Sequence, residues 1–456
     1  MPIVRTTLFL VLVFGCAPSL MAQSDSPQAD STPASSDDEY SGPAILSRGQ
    51  TPAGQTVAPV SFRPYIGLSG IYDTGLVPVS VTSTGQIPSM DLYGLELNLG
   101  AYTYRVWKHT TLGLDYRGDF RDYSASYWDG TDQFLSLILT DRPTKRVTFT
   151  LRNQAGIYSL NNYSLSSPLG AVDPNYLQLP QNDIYDSRVI FAGVSGDLTY
   201  LLTHRLSFNI GGEGSLVRRQ SSSLYGVTGA VARGDLEYRI SRHTTLGADY
   251  RFTYFDYTRA FGSTDINSVG INYSTQLSPH VQLSARVGGA RVESTSLTEV
   301  TLDPAIAALL GESEAIQAAY RLNYVPDVQV QLTDIIRRSQ FTLAFLDQVV
   351  PGNGVYLTSR NESGNASYGY TGVRHWNFGV HGTYGQMSAL VQTVGAYTAY
   401  GGGVGITRDL GKGLHTVLRL DTQHYDIASS AAFTHTEYRA TLGLNFSPGD
   451  VPLVLW

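Results

Sequence analysis

The chain has 456 residues, carries 31 Lys and Arg against 38 Asp and Glu, and has a formal charge of −7. Charged residues make up 15% of it, well under the roughly 25% of an ordinary soluble domain. No basic tract points to nucleic acid, a single cysteine cannot build a disulfide framework, and no apolar run beyond the N-terminus approaches the about 20 residues of a helical membrane span.

Residues 1–22 read as a signal peptide. Arg5 supplies the positive start, Leu8 to Gly15 the short apolar core, and Ala22 before Gln23 the cleavage site. Val13-Phe14-Gly15-Cys16 is a rival, lipobox-like reading that makes Cys16 a lipidated N-terminus. Residues 23–60 are rich in Ser, Pro, Ala and Asp and are expected to form a disordered periplasmic linker.

From Ser61 to Phe446 one pattern repeats. Alternating stretches of roughly 10–15 residues are joined in turn by very short turns and longer loops. In 109–123, Leu112, Leu114, Tyr116, Gly118 and Phe120 fall on one strand face. Thr111, Gly113, Asp115, Arg117, Asp119 and Arg121 fall on the other, because side chains alternate with period two. The segments 146–156 and 280–289 follow the same rule. HTTLGLDYR (109–117) recurs as HTTLGADYR (243–251), and LHTVLRLDTQ (414–423) places Asp421 where the others have Asp115 and Asp249. Short turns fall near Trp107–His109, Asp141–Thr144, Thr203–His204, Ser241–His243, Ser278–His280, Arg337–Ser339, Arg374–His375 and Leu410–Gly413. With a first and a last strand they give about 18 strands, within a range of about 16–20. Long connections are expected at 74–88, 161–185, 296–326 and 350–360. A short helix is expected in an extracellular loop, at 304–319, where Pro304 precedes good helix formers.

A strand with one continuous apolar face must bury that face. Here the other face carries Asp, Arg and Gln too often for a packed sandwich core. In lipid every backbone group pairs internally, so the strands must close on themselves. The fold class is therefore all-β: a transmembrane antiparallel up-and-down β-barrel over 61–446, followed by a tail at 447–456. Tyr102, Tyr104, Trp107, Tyr123, Tyr127 and Trp128 are expected in interfacial girdles. EYRATLGLNF (437–446) resembles the C-terminal assembly signal of Gram-negative outer-membrane barrels, with Tyr438, Ala440, Leu442, Leu444 and Phe446 alternating outward. Trp456 offers a second terminal aromatic. The resemblance is generic to porin-like and receptor-like barrels. It implies insertion by the barrel-assembly machinery into the outer membrane and names no substrate.

Nucleotide chemistry is not encoded. ITRDLGKG (406–413) lacks the Ser or Thr of a phosphate-binding loop, and the glycines of YGGGVG (400–405) point to bending or close backbone approach inside a strand. No catalytic residues, metal ligands or cofactors are assigned. His424 and His435 lie near outer loops, but nothing fixes a third orienting group. What remains is a lumen charge ladder: Asp115, Arg117, Asp119, Arg121, Arg152, Arg233, Asp235, Glu237, Arg239, Asp249, Arg251, Arg286, Arg419 and Asp421. Such a row both satisfies its own charges across strands and sets a field for permeating solutes. Glu299, Asp303, Glu312 and Glu314 are candidates for a constriction loop folding into the mouth. The leading expectation is a porin-like channel for passive diffusion of small hydrophilic solutes. A non-conducting docking barrel of a polysaccharide or protein export system comes second, and a barrel enzyme third. Expected partners are outer-membrane lipid, the assembly machinery and the solutes, with self-association left open.

Overall fold

A computed structural model describes residues 60–74, 91–158, 189–220, 224–301, 314–352, 357–390, 396–427 and 434–448. They form eighteen strands. The first six are β1 (Val60–Asp73), β2 (Leu92–Val106), β3 (Thr110–Tyr123), β4 (Gly130–Thr144), β5 (Val147–Tyr158) and β6 (Val189–Leu201). The next six are β7 (Leu206–Arg219), β8 (Gly226–Arg239), β9 (Thr244–Thr258), β10 (Gly262–Gln276), β11 (Val281–Thr301) and β12 (Glu314–Ile336). The last six are β13 (Ser339–Val350), β14 (Ser359–Val373), β15 (Trp376–Ala389), β16 (Tyr397–Gly411), β17 (Leu414–Ile427) and β18 (His435–Phe446). Each pairs antiparallel with the next, and β1 pairs with β18 from Ile66↔Phe446 to Asp73↔Arg439, so the sheet closes. The strand count and the up-and-down order are those expected from the alternation.

The eight short turns sit where the sequence places them, with β4 running on to Thr144 before turning at 145–146. Several share one device. Thr203 Oγ1 accepts from the backbone N–H of Arg205 (3.2 Å) and Leu206 (3.0 Å), and Ser278 Oγ does the same for His280 and Val281. A hydroxyl that bonds its own backbone two and three residues on fixes a tight turn.

The distribution of side chains is inside-out. Val269, Ile271, Val287 and Leu442 point away from the barrel and are exposed, Val269 and Leu442 by 62% and 63%, while Asp115, Asp249, Arg286 and Arg233 point inward and are buried. An apolar outer band on a closed sheet belongs in hydrocarbon, because water contact there carries a penalty of about 25 cal/mol per Å². The barrel crosses the membrane by strands; among the described residues no helix is long and apolar enough to do so.

Two expectations change. The long hairpin β11–β12 replaces much of the expected 296–326 loop: Thr301 pairs with Glu314 and Ser296 with Ala319, so 314–319 is strand rather than helix. Ladder pairing with Leu297–Thr301 outweighs a local helix preference of a few tenths of a kcal/mol per residue. The described helix is a single 3₁₀ turn at Ser126–Trp128. The described strands of this hairpin continue past their neighbours, beyond Gly262↔Ser296 on one side and Val328↔Asp347 on the other, with Ile316 and Tyr320 exposed, while 302–313, the connection expected to fold into the mouth, lie outside the described residues. Secondly, Tyr102, Tyr104, Tyr123 and Trp128 are buried rather than in a girdle. Exposed outward tyrosines form the girdles instead: Tyr200, Tyr238 and Tyr370 toward the short turns, Tyr93, Tyr254 and Tyr438 toward the loops. Trp107 is exposed at the short-turn rim as expected, and the side chain of Tyr127 lies outside the described residues.

Candidate permeation path through the barrel

The inner wall is layered. On the loop side it carries three apolar arcs, with buried charged side chains such as Asp73, Arg219 and Glu437 among them. Ile71, Leu92, Tyr123 and Trp128 line one arc, Phe191, Val217, Phe255, Ile266 and Val292 another, and Met387, Tyr397 and Tyr425 a third. The chain between β13 and β14 is tied to this collar. Leu357 is buried in the second arc, and the Thr358 hydroxyl lies 2.8 Å from Tyr257 Oη on β9 and 2.5 Å from Thr264 Oγ1 on β10. Those strands are four and five places round the sheet from β14. Leu357 and Thr358, just before β14, therefore reach across the mouth.

Below the collar lies the charged belt. Arg117 donates to Asp115 at 2.7 Å and packs over the Phe134 ring. Arg286 reaches Asp249 through Nε (2.9 Å) and Nη2 (2.6 Å), and Asp327 through Nη1 at 2.5 Å. Arg419 meets Asp421 at 2.7 Å, and Asn209 donates to Asp235 at 3.2 Å. Arg233 pairs with Asp197, and Arg121 pairs with Asp132 nearer the loops, at the level of Tyr123. Asp115, Asp249 and Asp421, the three echoed positions, are each only 6% exposed, and each holds an arginine. Asp119 is buried beside this belt; Arg152 and Arg251 are partly buried on it; Glu237 and Arg239 are exposed near the short-turn rim.

Partner choice follows the register. Three directly opposite positions hold like charges, Asp119↔Asp132, Asp235↔Asp249 and Arg233↔Arg251, while others, Glu96↔Arg121 and Asp421↔Arg439, hold opposite ones. Like charges facing each other repel, so at those three positions the ion pairs form with other partners. Several of them cross a whole strand over a glycine. Arg233 reaches Asp197 over Gly211, which lies opposite both. Arg286 reaches Asp249 past Gly270, where an added Cβ would come within 2.8 Å of Asp249 Oδ1. His381 lies 3.5 Å from Asp421 across Gly403, one of the glycines of YGGGVG. Sequence alternation identified the inward arginines but not Asp132, Asp197, Asp327 or His381 as their neighbours; their inward parity was the available signal.

Of the expected constriction residues, Glu299 and Glu314 lie on the β11–β12 strands past the neighbouring strands, while Asp303 and Glu312 lie outside the described residues. Tyr438, Leu442, Leu444 and Phe446 face outward and are exposed, Ala440 shares their side of β18, and Trp456 lies outside the described residues. His424 is occupied by Thr436 Oγ1 at 2.7 Å and by the Tyr400 ring. Among the described residues no group of three or more His, Cys, Asp or Glu is placed to hold a metal.

No protein-family model and no curated protein matches the chain. Solved structures do. Pseudomonas aeruginosa OccK5 (OpdH) is 13% identical with a TM-score of 0.40, over 85% of this chain and 98% of that one. The outer membrane protein opdK of the same organism is 12% identical, TM-score 0.40, with the same coverage. Acinetobacter baumannii OccAB4 is 12% identical, TM-score 0.38, over 87% and 99%. This chain is a barrel of the outer-membrane type. Its closure, outward apolar band and polar inner wall establish that by themselves.

Proposed function

We propose that the barrel is a porin-like channel for passive diffusion of small hydrophilic solutes, narrowed on the loop side by Leu357 and Thr358, just before β14. The observation that carries this is the ring of paired Asp and Arg on the inner wall. A packed, sealed interior is built from apolar side chains; a wall of ions is built where water and solutes pass. The ladder arginines and carboxylates give passing solutes a local field, and they hold one another in place. The solutes enter past the collar, where Leu357 and Thr358 limit the width. The outward row Tyr438 to Phe446 is read as the assembly signal for insertion.

The projecting β11–β12 hairpin favours a second reading, a docking barrel that offers this hairpin to a partner. One experiment separates the two. Folded barrel reconstituted into planar bilayers shows discrete conductance steps if it is a channel. A silent barrel that passes a heat-modifiability check overturns the channel and leaves the docking reading.

A further inference from the structure

The outer face of β10–β12 is not uniform. Two successive outward rows cross it. The lower row is Val269–Gly289–Pro326 and the upper row is Asn267–Arg291–Tyr324, each set by direct register across the three strands. Below them Ile271, Val287 and Val328 continue the apolar band. Gly289 has no side chain, and nothing lies within 4 Å of where its Cβ would be. Val269 and Pro326 stand on either side, so the lower row is a notch in the hydrocarbon-facing wall. Directly above the notch is the Arg291 guanidinium, half-exposed and paired with Glu293. Asn267 is held by Tyr250 Oη, which donates to its side-chain carbonyl at 2.7 Å, and Tyr320 donates to Glu293 at 2.5 Å. Asp265 stands opposite Glu293 in the next row up.

The sequence of rows is that of a lipid seen from the side: apolar, then a cation with hydrogen-bonding groups. An acyl chain lying on Gly289 between Val269 and Pro326 brings its headgroup to Arg291. A guanidinium binds phosphate oxygens through two parallel N–H donors. Glu293 then keeps the Tyr320 hydroxyl as its partner, so freeing Arg291 does not orphan the carboxylate. We infer that this notch is a binding site for one phosphorylated lipid of the outer leaflet, its chain on Gly289 and its phosphate on Arg291. The site is independent of whether the lumen conducts.

The test uses the folded full-length barrel in detergent, native mass spectrometry, and two probes that differ only in the phosphate: dioleoylphosphatidic acid and dioleoylglycerol. The wild type is expected to retain one phosphatidic acid in preference to dioleoylglycerol by about tenfold, the scale of one charge-assisted hydrogen bond. Arg291→Gln is expected to erase that preference while leaving weak retention of both. Gly289→Trp, which fills the notch, is expected to lower retention of both. Val194→Trp, on the outward face of β6, is the control and is expected to behave as wild type. All four proteins must first show the folded, heat-modifiable band. Equal retention of the two lipids by wild type, or unchanged retention in both the Arg291 and Gly289 variants, overturns the site.

Discussion

Asp197 and Arg233 sit on β6 and β8, two strands apart, and their side chains join over Gly211 of β7, which lies opposite both. The bridge exists because the intervening residue has no side chain. A Cβ on Gly211 would fall within 2.8 Å of Arg233 Nε and crowd Asp197 as well. Gly211→Val is therefore expected to separate the pair and leave two poorly partnered charges in the wall. Breaking such a pair costs about 3–5 kcal/mol. Gly234→Val is the matched control, since nothing lies within 4 Å of its Cβ position and Val suits a strand. Urea unfolding of both variants in vesicles reads the difference; equal midpoints contradict the role given to Gly211.

The two faces of one strand answer a second question. Leu114→Arg puts a guanidinium into hydrocarbon at about 2–4 kcal/mol near the midplane. Gly113→Arg, one residue away, points into the lumen and is expected to cost clearly less. The fraction of heat-resistant folded barrel on a gel checks this, and equal losses contradict the assignment of faces.

How much of this was legible in the chain follows from what a period of two encodes. It fixes the face of every residue on a strand, so the inward Asp115, Asp249 and Asp421 and the outward Leu442 and Leu444 could be read directly. It does not encode which strands lie two places away. Arg233 was visible, while its bond to Asp197 over Gly211 depended on the register of two neighbouring strands. It also does not separate inward from outward aromatics near strand ends, which is why Tyr102 and Tyr104 were expected in a girdle and instead pack on the inner wall with Tyr65. Glu314 to Ala319 read as helix because their local preference is helical; the β11 partner, distant in sequence, decides otherwise. The inserted segment gave no local signal either, since Leu357 and Thr358 are unremarkable until Tyr257 and Thr264 face them.

The Arg251 guanidinium stands directly opposite Arg233, with like charge facing like. Arg251→Gln removes one positive charge from the belt and is expected to shift the reversal potential toward cations at low salt. High salt mutes the shift, because the screening length falls from about 10 Å at 0.1 M to about 3 Å at 1 M. A reversal potential unchanged at low salt means that the ladder is structural only.

The tie at Thr358 is the most direct handle on the path itself. Thr358→Val removes the bonds to Tyr257 and Thr264 but keeps the volume, and Leu357→Asp expels the neighbouring residue from the apolar collar. Single-channel recording of the wild type and of the double variant, both checked for the folded band, measures what the segment does. Discrete conductance steps in the wild type and larger ones in the double variant are the predicted result. A silent wild type and a silent variant, or steps of the same size in both, contradict a lumen that conducts past the β13–β14 segment.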